Sequence, residues 1–146
     1  MPGVIDTNIL LYGANADADE HLAARRFLTN AGATSGPWYL TDGIAYEFLR
    51  VSTHPKVFPS PLLWREALAF LGPFLDADNV HVLRAEAGHW MLLAEVLGSL
   101  TRPSGNLFFD VRTVTLMREH GIRRIYTTDT DFLQFSDIEV VDPLRT

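Results

Sequence analysis

Short apolar runs alternate along this chain with longer stretches whose apolar positions recur at helical spacing. Residues 3–5 predict a short buried strand, and Ile9, Leu10 and Leu11 suit the first turn of a helix capped by Thr7 or Asn8. A helix is expected over residues 19–30, with Leu22, Ala23, Phe27 and Leu28 as its apolar stripe and Gly32 as its stop. Residues 38–40 predict a second strand, followed by a helix to Ser52 capped by Thr41 or Asp42. Pro55, Pro59 and Pro61 interrupt the chain. Ser60 is then the expected cap of a helix with Pro61 in its first position and Leu63, Ala67, Phe70 and Leu71 on its apolar face. "NVHVL" alternates as a strand does, and "EAGHWMLLAEVLGSL" reads as a helix. After a loop, "NLFFDVRTVTLMREHG" predicts a helix ending at Gly121, with Arg118 and His120 near its negative end. "IRRIYTTD" and "IEVVDP" supply the last two strands. Helices alternating with short strands predict an α/β domain with a mainly parallel sheet, in which ligands sit beyond the carboxyl ends of the strands.

Four acids interrupt these apolar runs. Asp6 and Asp129 each follow a strand, so parallel pairing would set them at one edge of the sheet. Glu47 lies within "IAYEFLRV" and Asp110 within "LFFDVRTV". Asp17, Asp19, Glu20 and Glu119 are instead expected to face solvent. Each of the four has a structural alternative. Asp6 and Asp110 suit helix caps or first turns, Glu47 suits a surface pair with Arg50, and Asp129 suits a turn in "TDTD". If the four converge, their repulsion calls for cations. Oxygen ligands without Cys or His suit Mg²⁺ or Mn²⁺, ions able to bind a phosphate and activate water. That combination is the logic of a nuclease.

Composition narrows the choice. The 146 residues suit one domain spanning 1–146, and no cysteine is present for a disulfide or thiolate site. No apolar run is long enough for a membrane span, and no basic leader precedes one, so a cytoplasmic location is expected. A net charge of −6 argues against binding nucleic acid by bulk electrostatics. It is compatible with an acidic centre neutralised by cations. Of the 12 basic residues, Lys56 is the one lysine.

"VIDTNILLY", "YEFLRV", "NLFFDVRTVTLMREHGI" and "IYTTDTDFLQF" resemble, in order and spacing, the four acidic motifs of PIN-domain ribonucleases. The likeness is greatest to VapC-type toxins of toxin–antitoxin pairs and covers nearly the whole chain, including the terminal "VVDPL". It implies a PIN-like fold, a central mainly parallel sheet flanked by helices in three α/β/α layers. It also implies a Mg²⁺- or Mn²⁺-dependent endoribonuclease acting on structured RNA such as transfer or ribosomal RNA, a VapB-type antitoxin as partner, and a homodimer. Carried over by motif, the catalytic and metal-binding acids are Asp6, Glu47, Asp110 and Asp129. Thr7, Asn8 and Thr127 match accompanying polar positions, and Asp131 matches a second acid ranked behind Asp129. The third motif departs from the family's small-residue "DAxxAA", reading "DVRTVT" here.

Arg50, His54, Lys56 and Arg112 lie near these motifs and are candidates for RNA phosphate contacts, against a reading as surface ion pairs or helix-end charges. His81 and His89 suit packing or surface positions, and Trp38, Trp64 and Trp90 suit core or interface. The helix in "LLWREALAFLGPFL" suits burial in the monomer or docking of an antitoxin helix. Other classes fit less well. A phosphoacceptor receiver needs adjacent acids at its first strand and a lysine at its last, and a haloacid-dehalogenase-type phosphatase needs Asp-x-Asp where this chain has "DTN". A dinucleotide-binding domain needs a glycine-rich first turn. A degenerate, non-catalytic PIN module for RNA or protein is the remaining alternative.

Overall fold

Every strand pairing in the central sheet is parallel, which sends all five strand ends toward one edge. The computed structural model describes residues 2–145. The strands are β1 (Val4–Ile5), β2 (Trp38–Thr41), β3 (Val80–Leu83), β4 (Arg124–Tyr126) and β5 (Glu139–Val141), in the order β3-β2-β1-β4-β5. The helices are α1 (Thr7–Ala14), α2 (His21–Ala33), α3 (Asp42–Ser52), α4 (Trp64–Asp76), α5 (His89–Gly98) and α6 (Leu107–Glu119). A 3₁₀ turn, Thr130–Gln134, joins β4 to β5. From β1 the chain steps outward through β2 to β3, then returns past β1 to β4. Right-handed crossovers in opposite directions put α1–α4 on one face and α5–α6 on the other, giving three layers. The helix contacts divide in the same way: α1 packs on α2 and α3, α3 on α4, and α5 on α6. β1 is thus the strand at which the order reverses.

Three element boundaries differ from those expected. α1 is capped by Asp6 rather than Thr7 or Asn8, because the Asp6 carboxylate accepts the Thr7 N–H at 2.8 Å. α2 begins at His21, after turns in which Asn15 accepts from Asp17 and Ala18, and it continues through Gly32 to Ala33. Its buried stripe is Ala24, Leu28 and Ala31, whereas Leu22 is 75% exposed. The reason is close packing on α1: a side chain at Gly13 would meet Leu28 at 2.6 Å, so α2 turns its small residues and Leu28 inward. α4 begins at Trp64, not after Ser60. Leu62 donates its N–H to Ser52 O at 2.9 Å and holds the preceding residues extended, and Glu66 accepts the Leu63 N–H at 2.9 Å in its place. Leu63 therefore lies exposed outside the helix, and Ala67 and Leu71 carry its burial.

The core runs along both faces of β1, through Val4, Ile5, Ile9, Leu10, Phe48 and Ile125. Among the described residues no helix is long and apolar enough to cross a membrane. Glu119 does not face solvent as its sequence context suggested. It is buried at the C-terminal end of α6, with Oε2 2.8 Å from His89 Nδ1 and Oε1 accepting the Glu86 N–H at 3.1 Å. This pair ties α5 to α6, and His89 is the polar residue buried between them. Glu119→Ala strands the buried His89 ring, and should cost about 2 kcal/mol, the scale of leaving a buried polar group unpaired. A lower urea midpoint with unchanged slope is the expected reading of equilibrium denaturation.

Candidate active site

The site is built from the parallel register of β1 with β4. Ile5 pairs with Tyr126, and the Asp6 N–H donates to Tyr126 O at 3.0 Å, so Asp6 emerges from the sheet edge beside Thr127. The Thr127 hydroxyl donates to Asp6 Oδ2 at 2.7 Å. It accepts from Asn8 Nδ2 and from the Asp129 N–H, each at 3.0 Å. Its donor and both acceptor positions are then used within the protein, so Thr127 orients Asp6 rather than a water molecule. Asn8 Oδ1 in turn accepts the Thr128 N–H at 3.3 Å and stitches α1 to the end of β4. Asp129 caps the 3₁₀ turn by accepting the Asp131 N–H at 2.9 Å. Asp6 and Asp129 are thus helix and turn caps; Asp6 accepts through both carboxylate oxygens, and Asp129 accepts through Oδ1.

Two helices deliver the other acids. α3 leaves β2 directly, capped by Thr41, whose hydroxyl accepts the Ile44 N–H at 3.0 Å, and it carries Glu47 in its second turn. α6 places Asp110 in its first turn. A cavity of about 450 Å³ joins these parts and is lined by Asp6, Thr7, Glu47, Arg50, Asp110 and Arg112. The carboxylates act on one another. Burial raises Asp6 to about 6, against hydrogen bonds from Thr127 and Thr7 that lower it, with the charges of Glu47 and Asp129 raising it further. Asp110 is pushed up to about 7, first by desolvation and then by the charges of Asp6, Asp129, Asp131 and Glu47. A second cavity, about 490 Å³ and mostly apolar, lies between α2 and α4 and is lined by none of these acids.

The candidates outside the acids fall into two groups. Arg50 and Arg112 line the acidic cavity, whereas His54 and Lys56 sit in a turn where His54 Nδ1 accepts the Lys56 N–H at 3.0 Å. Among the described residues Glu47 forms no ion pair with Arg50. The unusual "DVRTVT" segment remains helical because both threonines satisfy themselves. Thr113 donates to Phe109 O at 3.2 Å and Thr115 to Val111 O at 2.7 Å, so each hydroxyl is buried without a missing partner. Sequence reasoning passed over Asp42 except as a cap. It is the first residue of α3, lines the same cavity, and accepts a hydrogen bond from Arg112. Nothing in the local sequence marks that pairing, since the two are far apart along the chain.

A divalent cation suits this donor set. One carboxylate oxygen from each of Asp110, Asp129 and Asp131 lies within 4.8 Å of the others, which brings Asp131 into the tightest group of acids. Asp6 and Glu47 border the same region. The ligands are all oxygens, the preference of Mg²⁺ and Mn²⁺. The sign of the pH dependence follows from the two raised acids. Their folded values exceed the unfolded 3.8, so the metal-free fold has their full support near pH 4 and below, and loses it as pH rises through about 6 and 7. Asp110→Asn should therefore raise the melting temperature in EDTA at pH 7.5 by roughly 2–4 °C, a modest shift for a partly exposed group in a domain of this size. The gain should vanish near pH 4, and Mn²⁺ should stabilise the wild type more than the variant in the same melting series.

Residues 3–138 match the PIN domain family model. The chain is 31% identical to ribonuclease VapC48 of Mycobacterium tuberculosis over 143 residues, covering 98% of each chain. It is 30% identical to ribonuclease VapC33 of the same species, covering 96% of each. Among solved structures, it resembles Mycobacterium tuberculosis VapC20, a sarcin–ricin loop cleaving toxin, with a TM-score of 0.65, 20% identity and coverage of 89% and 92%. It also resembles VapBC2 from Rickettsia felis, bound to a DNA fragment from its promoter, with a TM-score of 0.68, 16% identity and coverage of 97% and 98%. A family-model match over most of the chain, with ribonuclease VapC relatives aligned over nearly its full length, places this protein in the PIN-domain family, among its VapC-type members.

Proposed function

We propose that the protein is a divalent-metal-dependent endoribonuclease and the toxin of a toxin–antitoxin pair, hydrolysing phosphodiester bonds in structured RNA and so inhibiting translation. The observation that carries the reading is the cluster of acids around Asp110, whose proton is held to about 7 first by burial and then by the charges of Asp6, Asp129, Asp131 and Glu47. Groups perturbed in this way cluster at functional sites, where a cation or a reacting proton meets them. Asp110, Asp129 and Asp131 would hold the metal, with Asp6 and Glu47 completing the acidic wall. When bound, a divalent ion neutralises the carboxylates, lowers the pKa of water and stabilises the departing oxygen. The chain's own residues set the geometry. Thr127 and the Thr7 N–H fix both oxygens of Asp6, and Asn8 fixes Thr127. The first turns of α3 and α6 bring positive helix ends toward the same space, which suits an anionic phosphate. Arg50 lines the cavity as a contact for the RNA backbone. Attack by water on phosphorus breaks the P–O3′ bond, the O3′ takes a proton, and the products carry 5′-phosphate and 3′-hydroxyl ends.

The partners follow from the relatives. VapC48 and VapC33 are named ribonucleases, VapC20 is a sarcin–ricin loop cleaving toxin, and VapBC2 is bound to promoter DNA. By that likeness this chain takes RNA as substrate and a VapB-type antitoxin as partner, and the homodimer rests on the family resemblance of its motifs alone.

Asp6→Asn and Asp110→Asn should each cut Mn²⁺-dependent cleavage of total RNA by at least about 100-fold while melting as cooperatively as the wild type, and mapping of the cut ends after brief expression checks this. Retained cleavage in both variants refutes the assignment. Thr127→Val releases Asp6 without removing an acid, and should slow cleavage by roughly 10-fold or more, the scale of losing a group that orients a ligand.

A further inference from the structure

Arg112 stands out because it is a cation in a wall of carboxylates, yet its guanidinium donates to none of the acids assigned above. Nη2 instead donates to Asp42 Oδ1, across the cavity at the start of α3. The pairing holds the Asp42 carboxyl below the usual range, chiefly through the hydrogen bond from Arg112. The Arg112 guanidinium also lies close over Gly43, in the space a Cβ there would enter. Asp42 is not needed as the cap of α3, since Thr41 already fills that role. It accepts the Gly43 N–H at 2.9 Å besides Arg112. Both members of the pair are partly exposed, with side chains 37% and 60% accessible, so water screens the interaction and a competing anion can displace it cheaply.

An RNA phosphate is such an anion. Arginine binds phosphate with two parallel hydrogen bonds, a stronger pairing than an exposed monodentate contact to a carboxylate. The acidic cavity repels a polyanion everywhere except at Arg50, Arg112 and the helix ends. Resting on the ribonuclease reading above, we propose that Arg112 is a phosphate-binding residue for the RNA backbone beside the cleaved bond, and that Asp42 occupies it until RNA takes its place. Asp42 keeps the guanidinium at the mouth of the cavity and away from the metal-binding acids. The exchange of one anion for another leaves the charge of α6 balanced in both states. Arg112 belongs to substrate binding, so its effect falls on affinity rather than on the chemical step.

The test uses a fluorescein-labelled stem–loop RNA with Mn²⁺, measuring binding by anisotropy in an Asp6→Asn background and cleavage in the otherwise native chain. Arg112→Ala should weaken binding about 10-fold and lower the slope of log affinity against log salt by about one, as loss of one phosphate contact does. It should raise KM far more than it lowers kcat, and Arg112→Lys should restore the slope with part of the affinity. Asp42→Asn should tighten binding several-fold. Unchanged affinity and slope in Arg112→Ala overturn the proposal, as does an Asp42→Asn variant that loses binding in parallel, which would make the pair a strut between α3 and α6. Unchanged RNA binding with an altered elution volume overturns it in favour of a protein contact. RNA binding through Arg112 without cleavage by the native chain would refute the hydrolytic reading and leave this one intact, whereas no RNA binding in any variant overturns this one.

Discussion

The pairing of β1 with β4 puts Asp6 against Thr127, and the rest of the site depends on that contact. A carboxylate at the end of a buried strand needs partners, and Asp6 has two hydrogen bonds, from the Thr7 N–H and the Thr127 hydroxyl. These hold its orientation without neutralising it. The same hydroxyl accepts from Asn8 and from the Asp129 N–H, so one threonine links α1, β4 and the turn that carries Asp129 and Asp131. Because β1 is where the strand order reverses, the helices on either side diverge around its end and leave a cavity there.

Holding several acids together opposes folding, and the structure offsets that cost locally. Caps at Asp6, Thr41 and Asp129 anchor the chain at the edge through backbone N–H groups. The first turn of α6 directs a favourable dipole toward Asp110. At the opposite end of α6, the buried His89–Glu119 pair fixes that helix to α5, so Asp110 projects from an element anchored at its far end. The repulsion that remains is visible in the raised proton affinities of Asp6 and Asp110. A site of this kind is stable only in proportion to the rigidity of its supports, which is why the polar stitching around Thr127 matters as much as the acids.

Much of the site was legible in the chain because the same residues serve local and global needs. Asp6 is the cap of α1 in place of the Thr7 or Asn8 expected, and its place after a strand also sets it at the sheet edge. Asp129 likewise caps the turn that follows its strand. Less legible were the positions whose role depends on a distant partner. Glu119 sits among polar residues near a helix end and reads as exposed, yet His89 and the Glu86 N–H bury it. The stripe of α2 was misread because Leu22 is more apolar than Ala24, while packing against Gly13 favours small residues there. The start of α4 was misplaced because Pro61 suits a first turn, and only the bond from Leu62 to Ser52 shows that the chain is still extended at that point.

The sequence by itself determined the alternation of strands and helices, the parallel sheet this requires, and the four acids that interrupt its apolar runs. Those depend on periodicity and on the cost of burying a charge, both of which are local properties of the chain. Tertiary structure decided which acids lie nearest one another, bringing Asp131 close to Asp110 and Asp129. It decided that Thr127 orients a carboxylate, because its three hydrogen-bonding positions are filled by residues from separate elements. It also decided that Arg112 faces Asp42 across the open flank of Gly43, a pairing set by the meeting of α3 and α6 and by no spacing along the chain.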